Sequence, residues 1–123
     1  MRTIKFRGKN EFGDVYYGGF YQNELGKCYI ITDENLYYGS LKYSSVEPDS
    51  VAQFTNCLDA NGEEIYDGDW VKLGDSYGRT YKPTQVFWAD SGWAVRWENG
   101  SLEGLGAACE YVQKLYLVKG KSA

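Results

Sequence analysis

The chain reads as an all-β or mainly β domain with at most one short helix. Three observations point that way. Aromatic residues make up 17% of its 123 residues, twelve of them Tyr and four Trp, and rings suit the pleated, half-buried surface of a strand. Fifteen glycines punctuate the apolar stretches, several of them beside Asn or Asp, as tight turns require. Long runs with apolar residues at three- and four-residue steps are scarce, so amphipathic helices are not expected.

The elements follow in order. Residues 3–7 alternate, with Ile4 and Phe6 on one face and Lys5 and Arg7 on the other, as in a half-buried first strand. Residues 8–13 form a polar turn. Residues 14–21 make an aromatic strand interrupted by Gly18-Gly19, the mark of a bulge or sharp bend. A turn over 23–26 leads to a return strand over 27–32 through Tyr29, Ile30 and Ile31. Residues 33–45 follow no clean period and read as irregular, with room for one short strand. Pro48 fixes its φ and donates no hydrogen bond, so 46–51 is an edge or a turn.

Gln53-Phe54-Thr55 suits a short strand and Asp59-Ala60-Asn61-Gly62 a turn. Ile65-Tyr66 is a short apolar step, Asp67-Gly68-Asp69 a second turn, and residues 70–73 begin another strand. A polar, aromatic loop over 74–82 closes at Pro83. Residues 84–88 and 93–97 make the best hairpin in the chain, turning at Ala89-Asp90-Ser91-Gly92. In its second arm Trp93, Val95 and Trp97 share one face, and Ala94 and Arg96 the other. Asn99-Gly100 turns the chain again, 102–108 admits one helical turn, 114–118 is a closing strand, and the polar 119–123 frays. No internal repeat or interdomain linker stands out. Residues 1–123 read as one domain, with an N-terminal β unit over 1–45 and a motif-bearing, barrel-like portion over 46–118.

Charge and composition exclude several functions. Thirteen basic against seventeen acidic residues leave a net charge of −4, which argues against a protein that grips duplex DNA by phosphate neutralisation. There is no histidine, so the commonest general base, proton shuttle and metal ligand is missing. Cys28, Cys57 and Cys109 are too far apart for a CxxC motif and read as reduced, inert thiols of a cytoplasmic protein. The first residues are charged with no apolar run behind them, so a secretory leader is not expected, and no window has the apolar length of a membrane span.

Specific chemistry fails on spacing. Asp59, Asn61, Glu63, Glu64, Asp67 and Asp69 superficially resemble a calcium loop, but Gly62 falls at the fourth position from Asp59, where an EF-hand needs glycine at the sixth. A structural turn explains the cluster, and no metal or cofactor is expected. A cysteine nucleophile has no histidine base. Gly104-Leu105-Gly106 starts a phosphate-loop pattern, but Cys109 stands in the place of its third glycine. A paired-carboxylate hydrolase has no distinguished pair. An enzyme is therefore not expected.

The run from Val46 to Leu73 is more specific than turn chemistry alone. It holds Pro48, then Gln53-Phe54-Thr55, then Leu58 to Asn61-Gly62, then Ile65-Tyr66-Asp67-Gly68-Asp69. This resembles the signature of the YopX family, small proteins typical of bacteriophages and prophages, and Ile4-Lys5-Phe6-Arg7 resembles the family's N-terminus. Ala52 and Asn56 stand where the family commonly has glycine, and 111–118 lacks its Gly-Asn-Ile pattern. The resemblance implies a mostly β pseudo-barrel and a phage or prophage origin, without a mechanism. Read from the residues, Gly68-Asp69-Trp70-Val71 before the 86–97 hairpin suits an SH3-like C-terminal portion. Gln53, Thr55, Asn61, Gly62, Gly68 and Asp69 are then structural motif residues.

Two binding modes are left. Twelve Tyr and four Trp exceed what a core of this size buries, and partly exposed rings are enriched at interfaces. The expected function is a non-catalytic, phage-type accessory protein that binds an unidentified host or phage protein, or pairs with its own copy through a strand edge. The alternative is a binder of single-stranded nucleic acid or nucleotide. The loop Tyr77-Gly78-Arg79-Thr80-Tyr81-Lys82 interleaves rings and cations as such a site would, with Arg96 and Trp93 on the neighbouring hairpin.

Overall fold

The computed structural model describes residues 4–35, 40–73, 82–89, 92–97, 100–105 and 115–117. The chain is mainly β, and every strand pair with a defined register is antiparallel. Its contacts divide it into two compact units, Met1–Phe54 and Thr55–Ala123.

The first unit holds β1 (Phe6–Lys9), β2 (Val15–Gln22), β3 (Cys28–Asn35) and β4 (Ser40–Val46), then a 3-10 turn over Pro48–Ser50 and the start of β5 (Ala52–Leu58). The strands pair in the order β4-β3-β2-β1-β5. β2 alternates cleanly: Tyr16 and Phe20 pack on the buried trio Cys28, Ile30 and Val46, while Val15, Tyr17 and Tyr21 face out. Its first half pairs with β1 through Gly18, its second half with β3 from Gly19. The Gly18-Gly19 pair is the point where β2 changes partners. Glu47 N–H donates to Lys9 O at 2.7 Å and Lys9 N–H to Ser50 Oγ at 2.8 Å, seating the 3-10 turn on the end of β1. Pro48 opens that turn, where its missing N–H leaves no donor unmet.

Two expectations for this unit need correction. Ile4 is 71% exposed and precedes β1, so the core face of the first strand is Phe6 and Gly8. A side chain on Gly8 would meet Val46 and Ile30 at about 3 Å, which is why glycine occupies a core position there. The irregular reading of 33–45 fails for its described residues: 33–35 extend β3, 40–45 belong to β4, and the two strands pair, while 36–39 lie outside the described residues. A register shift between Ile31 and Asp33 breaks the alternation that sequence reading relies on.

The second unit holds the rest of β5, then β6 (Glu64–Tyr66), β7 (Trp70–Leu73), β8 (Thr84–Gln85), β9 (Phe87–Ala89), β10 (Gly92–Arg96), β11 (Leu102–Gly104) and β12 (Leu115–Leu117). Two three-stranded sheets, β12-β7-β8 and β11-β10-β9, accompany the β5-β6 pair. Ile65, Val71, Val86, Val95 and Leu105 form its core, with Cys57, Trp93 and Trp97 packed against them. The closing strand falls where the sequence puts it, as Leu115 pairs with Leu73. Residues 102–104 are strand, and the rest of 102–108 beyond Leu105 lies outside the described residues.

The 84–88 arm of the hairpin is split. Thr84 and Gln85 pair with β7, whereas Phe87 to Ala89 pair with β10. Val86 between them donates to Asp69 O and accepts from Gly68 N–H, both at 2.9 Å. These two bonds hold Val86 to the Asp67-Gly68-Asp69 turn, so neither ladder continues through it. Ala89 is directly opposite Gly92, so the two residues stand at the ends of the four-residue turn expected over 89–92.

Asn56 has φ +68°, the one non-glycine residue in the left-handed region among the described residues. Glycine adopts this conformation without strain. Asn is the side chain that tolerates this conformation best. Asn56→Ala is expected to cost about 1 kcal/mol and Asn56→Gly almost nothing, read as shifts in a urea midpoint.

Candidate binding site

The motif residues prove to be hydrogen-bonding joints. Thr55 is buried, and its hydroxyl donates to Ile65 O at 2.7 Å and accepts from Cys57 N–H at 3.2 Å. Asp69 Oδ2 accepts from Tyr66 N–H at 2.9 Å, while Asp69 N–H donates to Tyr66 O, and Gly68 between them has φ +83°. Gln85 Nε2 donates to Gly68 O at 2.9 Å. Gln53 lies opposite Phe6 in the first unit. Gly62 ends the Asp59 turn with φ +84°, and Asn61 supplies an N–H to it.

The Asp59 turn is one of a set. Asp59 Oδ1 accepts from the N–H groups of Asn61 and Glu63, both at 2.8 Å. Asn10 Oδ1 does the same for Phe12 and Asp14, and Asn23 Oδ1 for Leu25 and Lys27. In each, the glycine three residues on donates back to the first carbonyl, and the first and fifth residues close the turn. Trp97 and Gly100 repeat the backbone pattern without the side-chain part. The sequence does carry this short repeat: Asn-Glu-Phe-Gly-Asp and Asn-Glu-Leu-Gly-Lys begin thirteen residues apart, at Asn10 and Asn23.

Of the residues expected to bind, Lys82, Trp93 and Arg96 fall among the described residues. Tyr77, Arg79 and Tyr81 lie outside the described residues, and Lys82 is exposed. Trp93 packs on the core of the second unit, edge-on to the half-exposed Trp88 at 4.8 Å, with its indole N–H buried and unbonded. Trp97 donates its indole N–H to Glu103 Oε2 at 2.6 Å. Arg96 is exposed three positions from Trp93; its guanidinium lies 5.8 Å from the Phe87 ring, and Nη1 donates to Gly100 O at 3.1 Å. Among the described residues no three Asp, Glu or Cys side chains gather as metal ligands, and no helix is long and apolar enough to cross a membrane.

Three tyrosines outside that loop, Tyr21, Tyr29 and Tyr43, converge. On the outward face of the first unit, Tyr21 lies directly opposite Tyr29, and Ile31 opposite Tyr43. The Tyr21 and Tyr29 rings are 6.3 Å apart and tilted by 31°; Tyr29 and Tyr43 are 5.7 Å apart and nearly perpendicular. With Asn23 they line a cup of about 480 Å³, within the range of ligand sites. Tyr21 and Tyr43 are 55% and 60% exposed, and Tyr17 continues the same face of β2. Sequence reading missed this site because it needs the pairing of β3 with β4, two strands whose register breaks in between. The alternation Val15, Tyr17, Gly19, Tyr21 was the available signal. A second hollow, of about 620 Å³, lies between the Asn10 and Asn23 turns and Pro48 and is lined by charges of both signs.

Together these features define an antiparallel β protein whose sequence motif builds turns and whose exposed rings lie on a sheet face. The YopX protein family model matches residues 5–118, nearly the whole chain. The chain belongs to the YopX family. No curated protein matches it.

Proposed function

We propose that this YopX-family chain is a phage-type accessory protein that acts in the cytoplasm by holding a host or phage protein, without catalysis. The observation that carries the reading is the outward tyrosine face of β2, β3 and β4. Exposed tyrosines bring large contact area at a low entropic cost, and their hydroxyls suit an interface that is dry on one side and wet on the other. The motif residues are engaged in turns, which favours a scaffold over a reaction centre. Self-association is a second form of the same reading, with β12 and β8 as edges of their sheet. The pseudo-barrel and SH3-like architecture implied by the sequence belongs with this proposal.

The test is capture of the tagged chain from infected host cells, comparing wild type with Tyr21→Ala/Tyr43→Ala. The double variant removes two exposed rings, so its melting temperature should stay within about 2 °C of wild type. It is expected to lose the captured partner at least tenfold. Undiminished capture, or turnover of a substrate by the purified chain, contradicts the reading. Binding of a single-stranded oligonucleotide with a steep salt dependence, abolished by Arg79→Glu/Lys82→Glu, establishes the alternative instead.

A further inference from the structure

We infer that the tyrosine cup takes a proline-rich segment of the partner in the polyproline II conformation. This rests on the proposal that the tyrosine face is the protein-binding surface. Three observations carry it, all within the first unit.

The first is an unused donor. Asn10 and Asn23 occupy the same position in equivalent turns, each with Oδ1 fixed by two backbone N–H groups. Asn10 spends its Nδ2 on Asp14 Oδ2 at 3.2 Å and on the Tyr16 hydroxyl at 3.5 Å. The fifth residue of the other turn is Lys27, which offers no carboxylate, and Asn23 Nδ2 has no acceptor among the described residues. Asn23 lines the cup, so the site carries a donor whose orientation the turn has already set.

The second is the charge of the lining. Tyr21, Asn23, Tyr29, Ile31 and Tyr43 are all uncharged. A phosphate finds no cation there. A cation finds no carboxylate. The complementary ligand is neutral, apolar in body, and rich in acceptors. A polyproline II helix has no internal hydrogen bonds, and its prolines have no N–H, so its carbonyls are free acceptors.

The third is the shape. The Tyr29 and Tyr43 rings meet almost at right angles, making a corner, with Tyr21 as a tilted third wall. A flat base wants an open ring face for stacking. A puckered pyrrolidine fits a corner between rings, and aromatic-lined grooves are the usual receptors for such segments.

The test is a titration of the isotope-labelled full chain with decaproline, and separately with a thymidine decanucleotide, followed by the NMR signals of the Asn23 side-chain amide and of the three tyrosines. Decaproline is expected to shift them, with Kd below about 1 mM. Asn23→Asp keeps the turn, as Asp59 does in its own equivalent turn, and removes the donor. It should weaken binding about tenfold, and Tyr43→Ala should do the same. No shift with decaproline, shifts with the decanucleotide alone, or full affinity in Asn23→Asp each overturn the inference. If decaproline fails while Tyr21→Ala/Tyr43→Ala still loses the captured partner, the protein-binding reading stands and only the ligand class falls.

Discussion

Gly18→Ala is expected to destabilise the first unit by about 3 kcal/mol or more, while Gly19→Ala next to it leaves stability unchanged or slightly raised. The contrast follows from the backbone. A Cβ on Gly18 would sit 1.9 Å from the carbonyl oxygen of Ile31, a distance no non-bonded pair accepts. The clash is with backbone, so no side-chain rotation relieves it. β3 must move away or the second half of β2 must detach. Gly18 is also the last residue of β2 in register with β1, so movement there disturbs both ladders. At Gly19 the nearest atom to an added Cβ is Ile31 Cβ at 3.7 Å, an ordinary van der Waals contact. The expected readout is a fall in melting temperature of roughly 10 °C or more for Gly18→Ala, with loss of the β3 and β4 amide signals. Equal melting temperatures for the two variants would show that Gly18 does not lie against the Ile31 carbonyl as described.

Ile65→Ala is expected to cost about 2–5 kcal/mol in the second unit. Ile65 is fully buried within the cluster of Val71, Val86, Val95 and Leu105. Truncation removes three heavy-atom positions from a core drawn from short strands, which have little freedom to collapse into the space. The Ile65 carbonyl still receives the Thr55 hydroxyl, so the loss is one of packing and not of that bond. All four tryptophans (Trp70, Trp88, Trp93 and Trp97) lie in this unit, so tryptophan fluorescence reports it selectively in a denaturant titration. Leu58→Ala, at a side chain 53% exposed, is the control and should shift the midpoint little.

Much of the fold was legible in the residues because its rules are local. Asn61-Gly62 and Gly68-Asp69 announce turns by their own chemistry, and both turns stand where expected. Ile65 and Tyr66 are apolar and short, and both are buried. What escaped depends on distant partners. Val86 looks like the middle of a strand, yet its N–H and C=O go to the Gly68-Asp69 turn and divide that strand between two sheets. Ile4 alternates correctly with Phe6 but lies beyond the end of the strand. The site was harder still. The loop over 77–82 draws attention by composition, whereas Tyr21, Tyr29 and Tyr43 are scattered in sequence. Only the β2-β3-β4 registers gather them on one face.

The most direct measurement is a hydrogen-exchange footprint of the full chain bound to the partner it captures. The account predicts added protection concentrated on β2, β3 and β4 around Tyr21, Tyr29 and Tyr43. Protection confined to residues 77–97, with that face unchanged, would contradict it.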